Sequence, residues 1–563
     1  MSQHPTPAED ASTSSLPPGT AQLVDLDGTM ATKHADGKGV RDIVLIPRPS
    51  DDPEDPLNWS FRRKLLSTSC VVVYTVLLAL PSSAVYSVVT PIRQATGLTL
   101  TDLNNGTGIM FLFFGWGCII WQPLALQYGK RPAYLLSLIA NIIIMATAPL
   151  CTTSRTYEAS RILLGLFGAP VESLCEISIA DIWFIHERHN YMAWYGWSLA
   201  LTGKLAPMIS GFINTGMGWE WTLWWCAIFN GIAFIYCFLF MEETNYDRKH
   251  ADSPVPDAEE KAPSPVLENT NMSSTADAAS ADKGLGSKER LPTSPSSDIE
   301  EAQVIKPRKT YWQKLTLRDK PRPNRVLDIA LAPFKGFLYP PVVYAGLMYG
   351  ANSLVWSGVQ NATAGTVYTT TYGWSTTDVS GAYAAGVVGT ITGGYYSGKV
   401  GRMLTVRLAR RNNGTSEPEH ILYLFVASMV LVPFSLVLYG VGVVSHIHWF
   451  GLVFSQFLLA NSNALCVSAA LTYAISSYRE LSGGMVVTCV LIRNTLSFAI
   501  NYAITPWLEA TGYLNTYVTV AVVGFVWNAS LFGMVRWGRR VREATAQRCW
   551  KDVKRAREKG LSE

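Results

Sequence analysis

The stretch Trp221-Thr-Leu-Trp-Trp-Cys-Ala-Ile-Phe-Asn-Gly-Ile-Ala-Phe-Ile-Tyr-Cys-Phe-Leu-Phe-Met241 holds no charged residue. A bilayer hydrocarbon core is about 30 Å thick, and a helix rising about 1.5 Å per residue needs about 20 mostly apolar residues to cross it. The stretch meets both requirements and reads as one membrane-spanning helix. Working outward, comparable runs occupy 65–90, 108–126, 133–150, 162–185 and 191–213 before it, and 340–356, 379–396, 421–444, 449–475, 485–507 and 517–537 after it. The expectation is an all-α membrane protein whose 12 transmembrane helices form two six-helix bundles, 65–241 and 336–537. A composition of 48% hydrophobic and 16% charged residues agrees, being too apolar for a water-soluble chain of 563 residues.

Three polar regions flank or divide the bundles. Residues 1–64, rich in Pro and Ser, read as a disordered N-terminal region without a cleavable signal, so the first span directs insertion. Residues 242–335 read as a largely disordered linker, since their Ser, Pro and acidic composition buries too little apolar surface to fold alone. The end of this linker, 306–324, turns basic and suits either the anionic inner leaflet or solvent. Residues 538–563 form a C-terminal tail.

Lys and Arg placement sets the orientation, because positive loops stay on the cytoplasmic side. Lys130 and Arg131, Arg188, Arg248, then Lys399, Arg402, Arg407, Arg410 and Arg411, and finally Arg536, Arg539 and Arg540 fall in every second connection. Both termini and the linker are therefore expected in the cytoplasm. The tryptophans at 219, 221, 224 and 225 mark the opposite interface, where amphipathic rings prefer the headgroup level. Sequons at Asn105 and Asn361 fall in outward loops on this topology and are the expected glycan acceptors; those at Asn58, Asn271, Asn413 and Asn528 are expected to stay unmodified.

The net charge of +4 is small and scattered, which argues against nucleic-acid binding. The nine cysteines show no paired short spacing, so no metal is expected, and no Gly-rich phosphate loop, nucleophile or cofactor constellation appears. His186 and His189 are separated by two residues rather than three, which is not the zinc-protease spacing. An enzyme is not expected, and neither is a cofactor. The expected partners are the lipid bilayer, a small organic substrate and protons, with no obligate protein partner.

Two short loops occupy corresponding positions in the halves: Gly129-Lys130-Arg131 after the second span, and Gly394 through Gly401-Arg402 after the eighth. Gly beside a basic cluster fits a tight turn that pins two helices. Together these loops resemble the signature of the major facilitator superfamily, whose usual form has an Asp three residues before the loop Gly; here Leu126 and Gly398 stand there. Arg161-Ile-Leu-Leu-Gly165-Leu-Phe-Gly168 is similar to the Arg motif of drug:proton antiporters, and Gly203-Lys-Leu-Ala-Pro207-Met-Ile-Ser-Gly211 resembles a degenerate form of their Gly-Pro antiporter motif, with Ala206 where Gly is usual. Five further strings resemble the fungal branch of the twelve-spanner drug:proton antiporters, including relatives of the yeast histidinol and polyamine transporter. They are Asp55-Pro-Leu-Asn-Trp-Ser60, Pro170-Val-Glu172-Ser-Leu-Cys-Glu176, Glu242-Glu-Thr-Asn-Tyr-Asp-Arg248, Arg407-Leu-Ala-Arg-Arg411 and Tyr502-Ala-Ile-Thr-Pro506-Trp507. The resemblance implies two bundles rocking about a central cavity, energised by proton exchange.

Charges deep in the bilayer cost roughly 2.5–3.5 kcal/mol each and usually face a cavity or a partner. Glu172, Glu176, Lys204 and Arg493 are such charges, with Arg161 nearer the outer side, either in the proton path or snorkelling to the interface. Glu172 and Glu176, four residues apart, share one helix face about 6 Å apart along the axis. Counting back from a turn near Glu187 sets Glu172 level with Lys204, predicting a salt bridge that is either dynamic or static. Spans one, four, seven and ten line the cavity in this fold, making Tyr74, Tyr86, Tyr344, Asn352, Trp356, Gln456, Asn461 and Asn463 candidate substrate contacts. The leading expectation is proton-coupled efflux of drugs, toxins or secondary metabolites at the plasma membrane, with the vacuolar membrane as the alternative. Uptake of polyamines or other organic cations comes second, and a membrane nutrient sensor is the alternative of another class.

Overall fold

The computed structural model describes residues 17–22, 52, 54–246, 313, 315–316, 324–412 and 415–558. The helices in chain order are α1 Phe61–Ser83, α2 Val89–Thr96, α3 Leu100–Trp116, α4 Cys118–Tyr128, α5 Lys130–Thr147, α6 Ser154–Gly168, α7 Pro170–Ile182, α8 Ile185–Met217 and α9 Trp219–Phe240. After the linker come α10 Val326–Gly336, α11 Pro340–Gly350, α12 Trp356–Tyr372, α13 Thr376–Arg411, α14 Phe425–Val444, α15 Trp449–Ser477, α16 Ser482–Ala529 and α17 Leu531–Glu558. A two-residue strand β1, Ala21–Gln22, pairs antiparallel with β2, Thr415–Ser416.

Among the described residues, 8 helices are long and apolar enough to cross a membrane, or up to 9 if α10 with the α11–α12 run counts as one span bent by 83°. The chain arranges them as two halves. One core joins Tyr74, Phe114, Trp121, Leu174 and Trp183 of the first half. Two more, around Trp356, Tyr439 and Tyr517 and around Tyr339, Tyr473 and Tyr478, fill the second. The halves meet along two long seams, α3 on α16 and α8 on α13.

Small residues set the closeness of those seams. A Cβ added at Gly115 would lie 2.8 Å from the Cβ of Asn494, and one at Gly394 would lie 2.9 Å from the Trp197 ring. Three helices that start at the end away from the termini open with reciprocal caps: Thr99 with Asp102, Thr153 with Thr156, and Ser375 with Asp378. These satisfy backbone donors that no helical carbonyl can reach.

The first and last described residues and the described ends of the linker gather at one end of the bundle. Arg63 of α1 stacks over Trp59 at 4.1 Å and pairs with Glu54 at 3.1 Å and Glu242 at 2.5 Å. Tyr246 donates to Asp52 at 3.2 Å. The strings Asp55–Ser60 and Glu242–Tyr246 thus form one clasp at the ends of α1 and α9. Glu243 caps α5 from a distance: Oε1 accepts from the Lys130 amide at 3.1 Å and Oε2 from the Arg131 amide at 3.0 Å. Burial pushes its carboxyl above the usual range, and the backbone amides pull it back down.

Several expectations change. The linker is not featureless up to residue 335, because Val326–Gly336 is helical and packs on α4 and α16. Of 306–324, only Gln313, Leu315, Thr316 and Asn324 lie among the described residues, as do Glu242–Tyr246 at the linker's start. The sequon residue Asn271 and the linker Ser-Pro sites lie outside them, as does Asn413. Asn105 sits in the second turn of α3, and Asn361 lies within α12 facing Lys204, so neither occupies the outward loop expected of a glycan acceptor. The His186 to His189 stretch begins α8 rather than forming a loop.

Candidate functional site

Pro170 opens α7 without an amide hydrogen, so the Leu166 carbonyl one turn earlier loses its helical donor; Trp121 Nε1 donates to it instead at 2.7 Å. This lets α6 run into α7 and turns both Glu172 and Glu176 into the packed interior, where each is buried. On the other half, Arg493 is buried in α16. Its Nη1 donates to Glu172 Oε2 at 2.5 Å, forming an ion pair between halves. Its Nε donates to Ser353 Oγ at 3.1 Å, and its guanidinium lies 4.9 Å from the centre of the Tyr349 ring.

Ser353 sits in a π-helical stretch, Ala351–Val355, that interrupts the seventh span. Such widened turns expose backbone groups to side chains from neighbouring helices. Asn463 of α15 takes this opportunity, donating to the Ser353 carbonyl at 2.9 Å. Glu176, one turn from Glu172, is 6% exposed and its Oε2 has no hydrogen-bond partner. Glu172 and Arg493 cancel, so the cluster's formal balance with Glu176 ionised is one uncompensated negative charge.

The predicted Glu172–Lys204 bridge does not form. Lys204 instead donates to Asn361 Oδ1 at 3.3 Å, and its stem passes the bare backbone of Gly386. The reason is the turn. Helix α7 ends at Ile182 and α8 begins at Ile185, so the turn lies three to four residues before Glu187. Glu172 is therefore ten residues from the turn and Lys204 nineteen, about 15 Å against about 28 Å along the axes.

The other candidates divide by where they point. Tyr74 bonds Ser137 at 2.6 Å and stacks edge-on with Tyr134, inside the first half rather than in a cavity. Tyr344 packs edge-on against Tyr473, and Trp356 lies beside Gly524 of α16, both within the second half. Asn461 donates to Thr392 of α13 at 2.9 Å, again inside that half. Asn352 bonds its own helix at Met348, leaving Oδ1 unpartnered, and both amide atoms of Gln456 are buried without a partner. Tyr86 reaches the interface, where a Cβ at Gly365 would lie 3.0 Å from its carbonyl. Arg161 reaches the Pro81 carbonyl at 3.4 Å and stacks over Tyr157 at 4.9 Å. Gly203 faces Ser83 and Pro207 is inside α8; Gly394 through Arg402 lie within helix α13 and not in the short loop expected, with Gly401 against Leu424 and Ile421 and Arg402 exposed.

At the end away from the termini the halves touch directly. Thr215 and Thr377 share a hydrogen bond of 2.6 Å, and a Cβ at Gly211 would lie 2.6 Å from that of Ser380. Overpacking there costs about 1–3 kcal/mol, paid only in the closed arrangement. Gly211→Val is thus expected to shift the protein toward opening at this end by roughly 5- to 150-fold. Maleimide labelling of Ser380→Cys, a position 0% exposed in the closed arrangement, checks this in membranes, and unchanged labelling would contradict it.

Two packed halves of apolar helices that meet on long seams, with a buried ion pair joining them, are the frame of a membrane transport protein. The chain belongs to the Major Facilitator Superfamily, whose family model matches residues 71–487. It is 25% identical over 543 residues to an uncharacterized MFS-type transporter of Schizosaccharomyces pombe, covering 94% of this chain and 93% of the relative. It is 25% identical over 533 residues to Protein HOL1 of Saccharomyces cerevisiae, covering 89% and 90%. Its fold is similar to the partially occluded inward open xylose transporter XylE from E. coli, with TM-score 0.52 and 12% identity over 84% of this chain and 98% of that one.

Sequence reasoning missed Ser353, Tyr349 and Glu243 as members of these networks. A Ser in an apolar run carries no signal for a widened helical turn. Glu243 carried one, as part of the Glu242–Arg248 string.

Proposed function

We propose that this transporter exports small organic molecules in exchange for protons, across the plasma membrane, with 12 spans and both termini in the cytoplasm. The count adds α8 and α13 to the apolar set and divides α16 at Gly512, whose φ of 75 breaks helical geometry. Helices α8 and α13 are 33 and 36 residues long, enough to cross, although Gly, Ser, Thr and charged ends dilute their hydropathy.

The observation that carries the reading is the Glu172–Arg493 pair across the halves with unpaired Glu176 one turn away. With Glu172 neutralised by Arg493, Glu176 is the group free to take up a proton or an organic cation, but not both. Exclusive occupancy couples the two fluxes: a substrate that displaces the proton on one side leaves the carboxylate to be reprotonated on the other. The uncompensated negative charge also supports the second reading, uptake of an organic cation, which differs only in direction.

Accumulation of labelled cations and lipophilic compounds in cells with and without the protein, with and without a proton uncoupler, tests this. Protein-dependent loss of a compound, abolished by the uncoupler, is expected. Protein-dependent gain would establish uptake instead. Deleting residues 251–310 is expected to leave flux unchanged, whereas a sensor signalling through its linker would lose output.

A further inference from the structure

The earliest described residues, Pro17–Gln22, lie in a groove at the termini end of the second half. Its floor is a buried ion pair: Arg542 of α17, 0% exposed, gives Nε and Nη2 to the two oxygens of Glu419 at 2.8 and 2.7 Å. The remaining nitrogen, Nη1, donates to the Pro18 carbonyl at 2.6 Å and to Thr20 Oγ1 at 3.2 Å. One wall is the end of α15. Gly19 has φ +82, and a Cβ there would lie 2.8 Å from the Ser477 carbonyl oxygen and 2.9 Å from its Cα. The rim is a strand: Ala21 pairs with Ser416 and Gln22 with Thr415.

These contacts are independent of one another and all select the same short peptide. A buried guanidinium left with an unmet N–H costs about 1–3 kcal/mol, so the Arg542 floor requires acceptors from above. The left-handed backbone pressed on Ser477 admits only glycine. The edge at Thr415–Ser416 takes an extended strand and reads main chain rather than side chains.

We propose that this groove is a peptide-docking site whose resident ligand is the chain's own segment Pro17-Pro-Gly-Thr-Ala-Gln22, and that its occupancy buttresses α17 against the end of α15. Because Glu54–Ser60 is clasped to the first half, one N-terminal region engages both halves at the same end. The intervening residues 23–51 could reach roughly 100 Å when extended, so the segment acts by filling the groove and not by tension. The site does not depend on the transport reading.

The test compares the full chain with a deletion of residues 2–22, both in lipid nanodiscs, using a fluorescent synthetic peptide of residues 12–26 and hydrogen exchange across Leu531–Glu558. The peptide is expected to bind the deleted protein saturably and the full chain roughly tenfold more weakly or less, because the tethered copy competes at high effective concentration. A peptide carrying Gly19→Val should not bind. Exchange in α17 should rise on deletion and fall again when the native peptide is added. Equal binding of both peptides, equal binding to both proteins, or unchanged α17 exchange would each overturn the proposal. If the deletion does not fold, Gly19→Val in the full chain must raise α17 exchange by itself; no change there overturns it as well.

Discussion

Arg493→Gln is expected to bring transport to background and to destabilise the protein by about 3–5 kcal/mol, the usual consequence of leaving one buried charge without its partner. Glu172 is 4% exposed and Arg493 6% exposed, so water cannot take over the lost contact in the packed arrangement. Thermal unfolding in detergent and uptake or efflux assays on the same preparation report the two effects. Adding Glu172→Gln to this variant should recover most of the stability, since two neutral amides can share a hydrogen bond, but not the transport. A double variant as unstable as the single one would mean that Arg493 acts through Ser353 and Tyr349 and not through the ion pair.

Glu176→Gln is expected to leave the protein folded, with exchange of labelled for unlabelled neutral substrate retained and that of a cation weakened, while gradient-driven transport falls to that of empty membranes. The carboxylate has one buried oxygen without a partner, so an amide replaces it at small structural cost. What the amide lacks is a proton to exchange. Vesicles with an imposed pH gradient separate the two activities, and driven transport that survives in Glu176→Gln would remove this residue from the coupling path.

The spans were legible because apolar length is a property of single segments. Five of the six runs of the first half, all but 191–213, coincide with helices long and apolar enough to cross a slab of about 30 Å. The acid and base residues were legible too, as charges where none should be. Their partners were not. Which base meets Glu172 depends on where α7 ends, and a shift of the turn from Glu187 to residues 183–184 moves Lys204 by about two turns relative to it. Arg493, on a helix more than three hundred residues away, has no spacing relation that points to Glu172. The cavity candidates failed for a related reason. Each span has several faces, and Tyr74 or Trp356 packs within its own half because that is where its neighbours are. In the last tail, nothing in the sequence sets Arg542 apart from Arg539 and Arg540, yet it is among the most buried side chains of the described residues.

The cap that Glu243 places on the first amides of α5 bears on how such proteins are recognised. By position, the loop after the second span has lost its acid, since Leu126 stands where an aspartate is usual. In space the turn still meets an acid: the Glu243 carboxylate, just past the end of α9, accepts from the first two amides of α5. Reading the loop by position alone misses this acid, which is found only by asking which carboxylate meets the first two amides of the third span. The support of a tight turn can thus come from a residue more than a hundred positions away along the chain.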